Sequence, residues 1–216
     1  MTASSESAHP AFIHLRVHTE YSLVDGVVRV KPLMRGLAEK RMPAVALTDQ
    51  GNLFAMVKFY KAALAAGIKP IIGVDARVSD AGSQAQPYRM VLLCQNNDGY
   101  HSLSELVSKS YLKNQHRGIP VIQTDWIHEH ADGLIALSGG REGDVGRALI
   151  AGKADEAEQR LKQWRATFGD RYYLELQRTG RENEEHYIAE AVALALATDT
   201  PVVATNDVRF LKADDF

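Results

Sequence analysis

The sequence has little cysteine, no long apolar stretch and almost no net charge, and each absence excludes a class of protein. Cys94 is the single cysteine among 216 residues, which excludes an internal disulfide and a zinc site built from several thiolates. No apolar run approaches the roughly 20 residues that cross a bilayer, so we expect no contact with a membrane. A net charge of -2 gives no bulk attraction to nucleic acid, so other segments must make any contact with DNA.

The amino-terminal segment does not have the pattern of a targeting signal. Residues 1–11 are small and mostly polar, carry Glu6 as their single charge, and lack the basic and apolar regions of a signal peptide. We therefore expect a mobile native amino terminus at residues 1–11, one domain over residues 12–216, and a cytoplasmic protein.

Seven short runs of apolar and branched residues alternate with segments whose apolar residues recur at helical spacing. The runs are Phe12–His18, Ala44–Asp49, Pro70–Val78, Arg89–Gln95, Leu134–Ser138, Tyr172–Gln177 and Pro201–Asp207. This alternation predicts a parallel sheet covered by helices, and seven strands are compatible with either an open sheet or a closed barrel.

Polar residues collect where the predicted strands end. Asp49, Asp75, Arg141 and Asp207 all lie at or just after such a run. The carboxyl ends of parallel strands are where α/β folds place their chemistry, so this pattern indicates an active site or its remnant.

Arginines stand among residues that are typical metal ligands. Side chains alternate along a strand, so His14, Arg16 and His18 should share one face, as should Asp207 and Arg209. Imidazole and carboxylate bind metals, whereas a guanidinium keeps its proton and offers no lone pair. The pattern therefore indicates a cation site that has received fixed positive charge instead.

Five segments of the chain resemble motifs of a known family: residues 14–26, 46–53, 67–75, 133–140 and 203–210. In these segments the chain resembles the amino-terminal PHP (polymerase and histidinol phosphatase) domain of bacterial DNA polymerase III alpha subunits. The resemblance implies a distorted seven-stranded (β/α) barrel, with Met1 as the natural start of a longer polymerase that is cut here at Phe216.

The resemblance also implies which ligand positions are kept and which are lost. Family members with a working site hold three metal ions, often zinc or manganese, and hydrolyse phosphoesters. This chain keeps His18, Asp25 and Asp207 and has Asp75 where glutamate is usual. It departs from the pattern, which has histidine or sometimes cysteine, at Arg16, Gln50, Arg89, Gly140 and Arg209.

Two functional hypotheses follow from the resemblance. The first is a non-catalytic module of a replicative DNA-directed DNA polymerase, a nucleotidyltransferase that uses Mg²⁺ and contacts DNA elsewhere in its chain. The module would need no cofactor, brace the rest of the alpha chain and dock a separate proofreading exonuclease subunit. The alternative is a phosphoesterase dependent on Zn²⁺ or Mn²⁺, with pyrophosphatase or 3'-5' exonuclease activity.

We expect Arg16, Arg89 and Arg209 to neutralise Asp25, Asp75 and Asp207 through forked hydrogen bonds, because unpaired buried charge is costly.

Several positions keep a second interpretation. His18, Asp25 and Asp207 could hold one metal or be a hydrogen-bonded relic, which we favour, and Asp49 could cap the following helix. His14 fits a core position. Arg141 could contact an anion in a glycine-rich turn.

Overall fold

The computed structural model describes residues 12–83 and 85–215, with the backbone alone at Asp25, His116 and Ala213. The mobile terminus predicted at residues 1–11 lies outside the described residues. The strands are β1 (Ala44–Leu47), β2 (Lys69–Ser79), β3 (Tyr88–Cys94), β4 (Gln115–His116), β5 (Ile119–Pro120), β6 (Ile122–Gln123), β7 (Leu134–Leu137), β8 (Tyr172–Leu176) and β9 (Val202–Ala204). The helices are α1 (Val30–Glu39), α2 (Met56–Ala65), α3 (Asn97–Lys113), α4 (Thr124–Glu129), α5 (Asp144–Ile150), α6 (Ala154–Phe168) and α7 (Glu184–Thr198). Across these described helices, none combines the length and the apolar character that a membrane crossing requires.

One curled sheet organises the fold. Its strands follow the order β1-β2-β3-β7-β8-β9, and the short β6 adds a seventh strand beside β2. Six of the seven predicted runs become strands of this sheet, and helices cover its outer side. The prediction of a seven-stranded, barrel-like α/β fold is confirmed.

The first predicted strand is instead a segment that links the two outer edges of the sheet. Isolated bridges join His14 to Val45 of β1, and Val17 to Val208 beyond β9. The amide of Ala46 donates to the carbonyl of His14 at 2.8 Å, and that of His18 donates to Val208 at 2.9 Å. Residues near the two ends of the chain therefore lie side by side.

The prediction of an all-parallel sheet is wrong for β3, which runs antiparallel to both β2 and β7. Parallel neighbours need a crossover of about a dozen residues or more, usually with a helix, whereas only residues 80–87 separate β2 from β3. The start of β3 therefore lies at the edge where the parallel strands end. Arg89 reaches that edge from the amino end of its strand.

The barrel interior has an apolar part and a polar part. Ala46, Val91, Leu93 and Leu137 form a buried cluster inside the sheet. Side chains two residues apart on a strand share a face, so Arg89 points to the same side as Val91. Charged side chains therefore lie next to an apolar floor, which shields them from water.

Candidate functional site

Arg16 lies at the centre of a buried polar cluster inside the barrel, with 1% of its side chain exposed. Its Nε and Nη2 lie 3.0 and 2.8 Å from Oδ2 of Asp75, and its Nη1 lies 3.3 Å from Oε2 of Glu175. Burial alone would lower the pKa of Arg16, but the two carboxylates raise it above its ordinary value. The guanidinium therefore stays charged and joins β2 to β8.

Asp75 gathers three side chains on one oxygen. Besides Arg16, the Nη2 of Arg89 donates to Oδ2 at 2.9 Å, and Nε2 of His18 lies 3.0 Å from the same atom. Burial alone would raise the pKa of Asp75, yet Arg16 and Arg89 hold it well below its usual range. The predicted pairing of this carboxylate with arginines is observed.

Asp207 forms a second centre of pairing after β9. Its Oδ2 accepts from Nε of Arg209 at 2.9 Å and from Nη2 of Arg181 at 2.8 Å. Its Oδ1 lies 3.8 Å from Nε of Arg16 and 3.9 Å from Nε2 of His18, which joins the two centres. Burial opposes ionisation of Asp207, but Arg16, His18 and Arg209 lower its pKa. The predicted pair of Arg209 with Asp207 is present, and Arg181 is an additional partner.

The site contains residues that sequence reasoning missed. Glu175 of β8 is fully buried and accepts from Arg16, from Oγ1 of Thr205 at 2.5 Å and from Nε2 of Gln177 at 3.2 Å. The sequence contained a signal for this residue, because Glu175 is the single acid in the apolar run Tyr172–Gln177. A carboxylate that points inward from such a strand requires a partner.

Four residues that the sequence predicted for the site make no described side-chain contact with the Arg16 cluster. Gln50 pairs through its backbone with Asp75. Gly140 follows β7 in a left-handed turn, and a β-carbon there would lie 3.6 Å from Oε1 of Gln177. Arg141 donates to the carbonyl of Glu182 at 3.0 Å. The side chain of Asp25 lies outside the described part of the structure.

His14 does not share a face with Arg16 and His18, so that expectation is wrong. The segment makes isolated bridges rather than a regular strand, and strict alternation fails at its start. His14 lines a groove between α1 and residues 208–212, with its ring against Phe12 at 5.0 Å. Partial burial lowers the pKa of His14, and the positive charge of Lys40 lowers it further.

Asp49 is not a helix cap, which corrects the second interpretation of this residue. The helix α2 begins at Met56, and the residue before it makes no capping hydrogen bond through a side chain. Asp49 is buried and accepts from the backbone amide of Thr19 at 2.6 Å and from Oγ of Ser22 at 2.7 Å. It therefore fixes the turn that follows the Arg16 segment.

Several polar atoms of the cluster have no hydrogen-bond partner, namely Oδ1 of Asp75, Oδ1 of Asp207, Nδ1 of His18 and Nε of Arg89. Within residues 12–83 and 85–215, no group of three or more His, Cys, Asp and Glu side chains is placed to hold a metal ion. What the described side chains achieve chemically is the mutual neutralisation of buried charges of opposite sign.

Replacing Arg16 should reveal how strongly this cluster supports the fold. Arg16→Met replaces the charged guanidinium with an unbranched apolar side chain. The substitution leaves Asp75 and Glu175 without their shared partner. We expect the free energy of unfolding to fall by about 3–5 kcal/mol, the range for breaking a buried ion pair. Urea unfolding followed by circular dichroism measures this change.

Arg178→Met is the matched control for that substitution. Arg178 pairs with Glu185 at 2.7 Å, but the two side chains are 70% and 71% exposed. Exposed pairs contribute little to stability, so we expect almost no change in the unfolding free energy. Equal losses in the Arg16 and Arg178 variants would contradict a structural role for the cluster.

The ionised carboxylate of Asp75 should make the folded chain less stable as the pH is lowered. Because its pKa in the folded chain is lowered, Asp75 contributes stability above its ordinary pKa of about 4, and this contribution is lost as the pH falls below that value. One carboxylate accounts for at most about 1.4 kcal/mol per pH unit. We expect Asp75→Asn to flatten the unfolding free energy plotted against pH between about 4 and 2. Parallel curves for the variant and the unmodified chain would rule this out.

The fold has relatives among solved structures. An amidohydrolase from Chromobacterium violaceum, with bound sulfate and no metal, superposes with a TM-score of 0.58 at 16% identity, over 91% of this chain and 87% of the other. An inferred metal-dependent phosphoesterase from Bifidobacterium adolescentis superposes with a TM-score of 0.57 at 12% identity, over 92% and 87% of the two chains. At these identities the likeness concerns the fold alone.

Closer relatives are found by sequence. DNA polymerase III subunit alpha of Pseudomonas fluorescens is 50% identical over 206 residues, which are 95% of this chain and 18% of the relative. The same subunit of Escherichia coli (strain K12) is 46% identical over 209 residues, which are 97% of this chain and 18% of the relative. The chain thus spans about a fifth of the length of these relatives. The PHP domain family matches residues 14–179, most of the sequence, and the chain belongs to this family.

Proposed function

We propose that this chain is the amino-terminal PHP domain of a DNA polymerase III alpha subunit and that the domain is structural rather than catalytic. The identity of 50% to such a subunit over 95% of the chain supports the first part. The complete polypeptide would be a cytoplasmic DNA-directed DNA polymerase. Nucleotidyl transfer, Mg²⁺ and the contact with DNA would belong to segments outside these 216 residues.

The observation that carries the second part is the position of the Arg16 guanidinium. It lies within 3.0 Å of Asp75 and 3.3 Å of Glu175, with its charge fully buried. A guanidinium cannot coordinate a metal, and it repels any cation placed beside it. A polynuclear zinc or manganese centre does not fit this set of side chains, and we derive no hydrolytic step through one.

The arginines instead supply the positive charge that metal ions would supply. Asp75 has Arg16 and Arg89 as partners, and Asp207 has Arg181 and Arg209, all at 2.8–3.0 Å. Each carboxylate thus has charged donors that offset the cost of removing it from water. In the proposed function, this pairing keeps the barrel folded without bound metal.

A phosphoesterase with one metal is the second candidate. It is favoured by the unpartnered atoms Oδ1 of Asp75, Oδ1 of Asp207 and Nδ1 of His18, which are buried in one cluster. Carboxylate oxygens are ligands for hard cations such as Mn²⁺. The adjacent arginines weigh against this candidate.

Metal content and hydrolysis together distinguish the two candidates. The purified chain is dialysed against Zn²⁺ or Mn²⁺, analysed for bound metal, and assayed on p-nitrophenyl phosphate, pyrophosphate and end-labelled single-stranded DNA. We expect no stoichiometric metal and no turnover above that of His18→Ala. Stoichiometric metal with turnover that His18→Ala abolishes would establish the phosphoesterase.

A structural domain in a polymerase can also serve as a docking platform. We propose the proofreading exonuclease subunit as its partner, because in a structural role the domain would leave the removal of misincorporated nucleotides to another subunit. Titration of the complete polymerase polypeptide with the purified exonuclease subunit of the same organism should give saturable binding, and a polypeptide without residues 1–216 should not bind. Equal binding by both would refute the docking role.

A further inference from the structure

An apolar groove lies on the outer side of the barrel, between α1 and residues 208–212. Its volume is about 660 Å³. Apolar side chains line much of it, and those of Phe210 and Leu211 are 41% and 39% exposed. Exposed apolar groups that cluster mark interaction sites more often than scattered ones do. The α1 groove is defined by Val17, Leu33, Gly36, Leu37, Met42, Val208, Phe210 and Leu211.

Gly36 lies in the interior of α1, on the wall of this groove. Glycine inside a helix is less stable than alanine because it loses more conformational entropy on folding. A β-carbon at Gly36 would meet no neighbouring atom within 4 Å, so the described packing does not require glycine here. A helix surface without a β-carbon lets another backbone approach closely. The position therefore indicates a further element that packs on α1.

The layer of helices around the barrel has a gap at the same place. The segment at Val17 runs parallel to the segment at Val208, and parallel segments of such a sheet are followed by helices on its outer side. After Val17, α1 supplies this cover, and Val17 is buried with Leu33 and Leu37. After Val208, the described chain contains the short helical turn Ala213–Asp215 and no longer helix. Val208 therefore lacks the helical cover that Val17 has within residues 12–215.

The turn at residues 211–215 lies at the wall of the groove. The carboxylate of Asp215 accepts from the amides of Leu211 and Lys212 at 3.2 and 2.9 Å, which folds the chain back on itself. Leu211 and Lys212 also line the groove. A segment that follows this turn thus starts beside α1 and needs only a short loop to reach it, and short loops cost little entropy to close.

The charge of the rim indicates which kind of segment fits. The basic side chains of Arg35, Lys40 and Lys212 lie along the groove with a single acid, Glu39. Nδ1 of His14, which also lines the groove, is buried without a hydrogen-bond partner. An amphipathic helix with acidic side chains beside its apolar stripe would fill the apolar floor and pair with the basic rim.

We infer that the α1 groove holds the segment of the same polypeptide that directly follows Phe216, folded as an acidic amphipathic helix that packs against Gly36. This inference rests on the proposed function, in which further polypeptide follows these 216 residues, since the chain spans about a fifth of its relatives. Covalent attachment favours this occupant over a separate molecule, because a tethered segment has a high effective concentration at the groove.

Gly36→Trp and Ala38→Trp form a matched pair for the test. Both residues lie in α1, but Gly36 lines the groove, whereas Ala38 is exposed and does not line it. In the complete polypeptide, Gly36→Trp fills the space that the segment needs. Amides in the segment after Phe216 should then exchange with solvent about tenfold faster or more. Ala38→Trp should leave their exchange unchanged. Hydrogen exchange followed by mass spectrometry measures both, and equal exchange in the two variants would overturn the inference.

Gly36→Ala keeps the inference testable if Gly36→Trp does not fold. In an empty groove the added methyl group meets no atom, so the better helix propensity of alanine should raise the temperature at which α1 loses its protection from exchange. With a backbone packed against Gly36, the same substitution should lower that temperature in the complete polypeptide. A higher temperature would therefore overturn the inference.

Reversal of the rim charge tests the acidic character of the segment. Arg35→Glu combined with Lys40→Glu replaces attraction by repulsion, so exchange in the segment after Phe216 should become faster, most clearly at low salt. Exchange that does not respond to this double substitution would overturn an acidic helix as the occupant.

Other occupants of the groove give other patterns. Protection of α1 that rises with the concentration of the complete polypeptide identifies a second copy, and protection that appears only when another protein is added identifies a separate partner. Both results overturn the inference. Nucleotidyl transfer by the unmodified polypeptide reports on the proposed function independently. A polypeptide that polymerises DNA while Gly36→Trp changes no exchange keeps the proposed function and overturns the inference, whereas one that does not polymerise DNA refutes both.

Discussion

The buried charge of Arg16 is the constraint on which the rest of the barrel depends. A guanidinium removed from water is tolerated only where anions surround it with good geometry. Asp75 and Glu175 meet this need from β2 and β8, which are a hundred residues apart in the sequence. The pairs therefore join distant strands, and the interior polar cluster becomes part of what holds the sheet in its curled shape.

The arrangement differs physically from a metal centre that occupies the same place. A metal ion can dissociate, so the stability of a metal-bound barrel depends on the free metal concentration. Arg16, Arg89 and Arg209 are covalently part of the chain and cannot dissociate from it. In the proposed function, a polymerase that carries this domain would keep its scaffold whatever the supply of zinc or manganese.

The sequence was sufficient for much of the sheet and for part of the cluster. Branched apolar runs identified six strands, and the excess of arginine near Asp75 and Asp207 indicated ion pairs that the structure contains. It did not reveal Arg181, because that contact depends on how the loop before α7 folds back to Asp207. The direction of β3 was also missed, since a short loop without a helix decides it and periodicity does not.

Closure of the sheet requires residues from both ends of the described chain, so it cannot be completed until residue 208 has been synthesised. Val17 pairs with Val208, and Arg16 approaches Asp207, across about 190 residues of intervening chain. A nascent chain on the ribosome can form β1, β2 and their helices early, but its first segment lacks its second neighbour until residue 208 has left the exit tunnel. During that interval Arg16 has an incomplete set of anions, and the unpaired edge is open to wrong partners. Closure of the barrel through these contacts therefore cannot precede the emergence of residues 205–209.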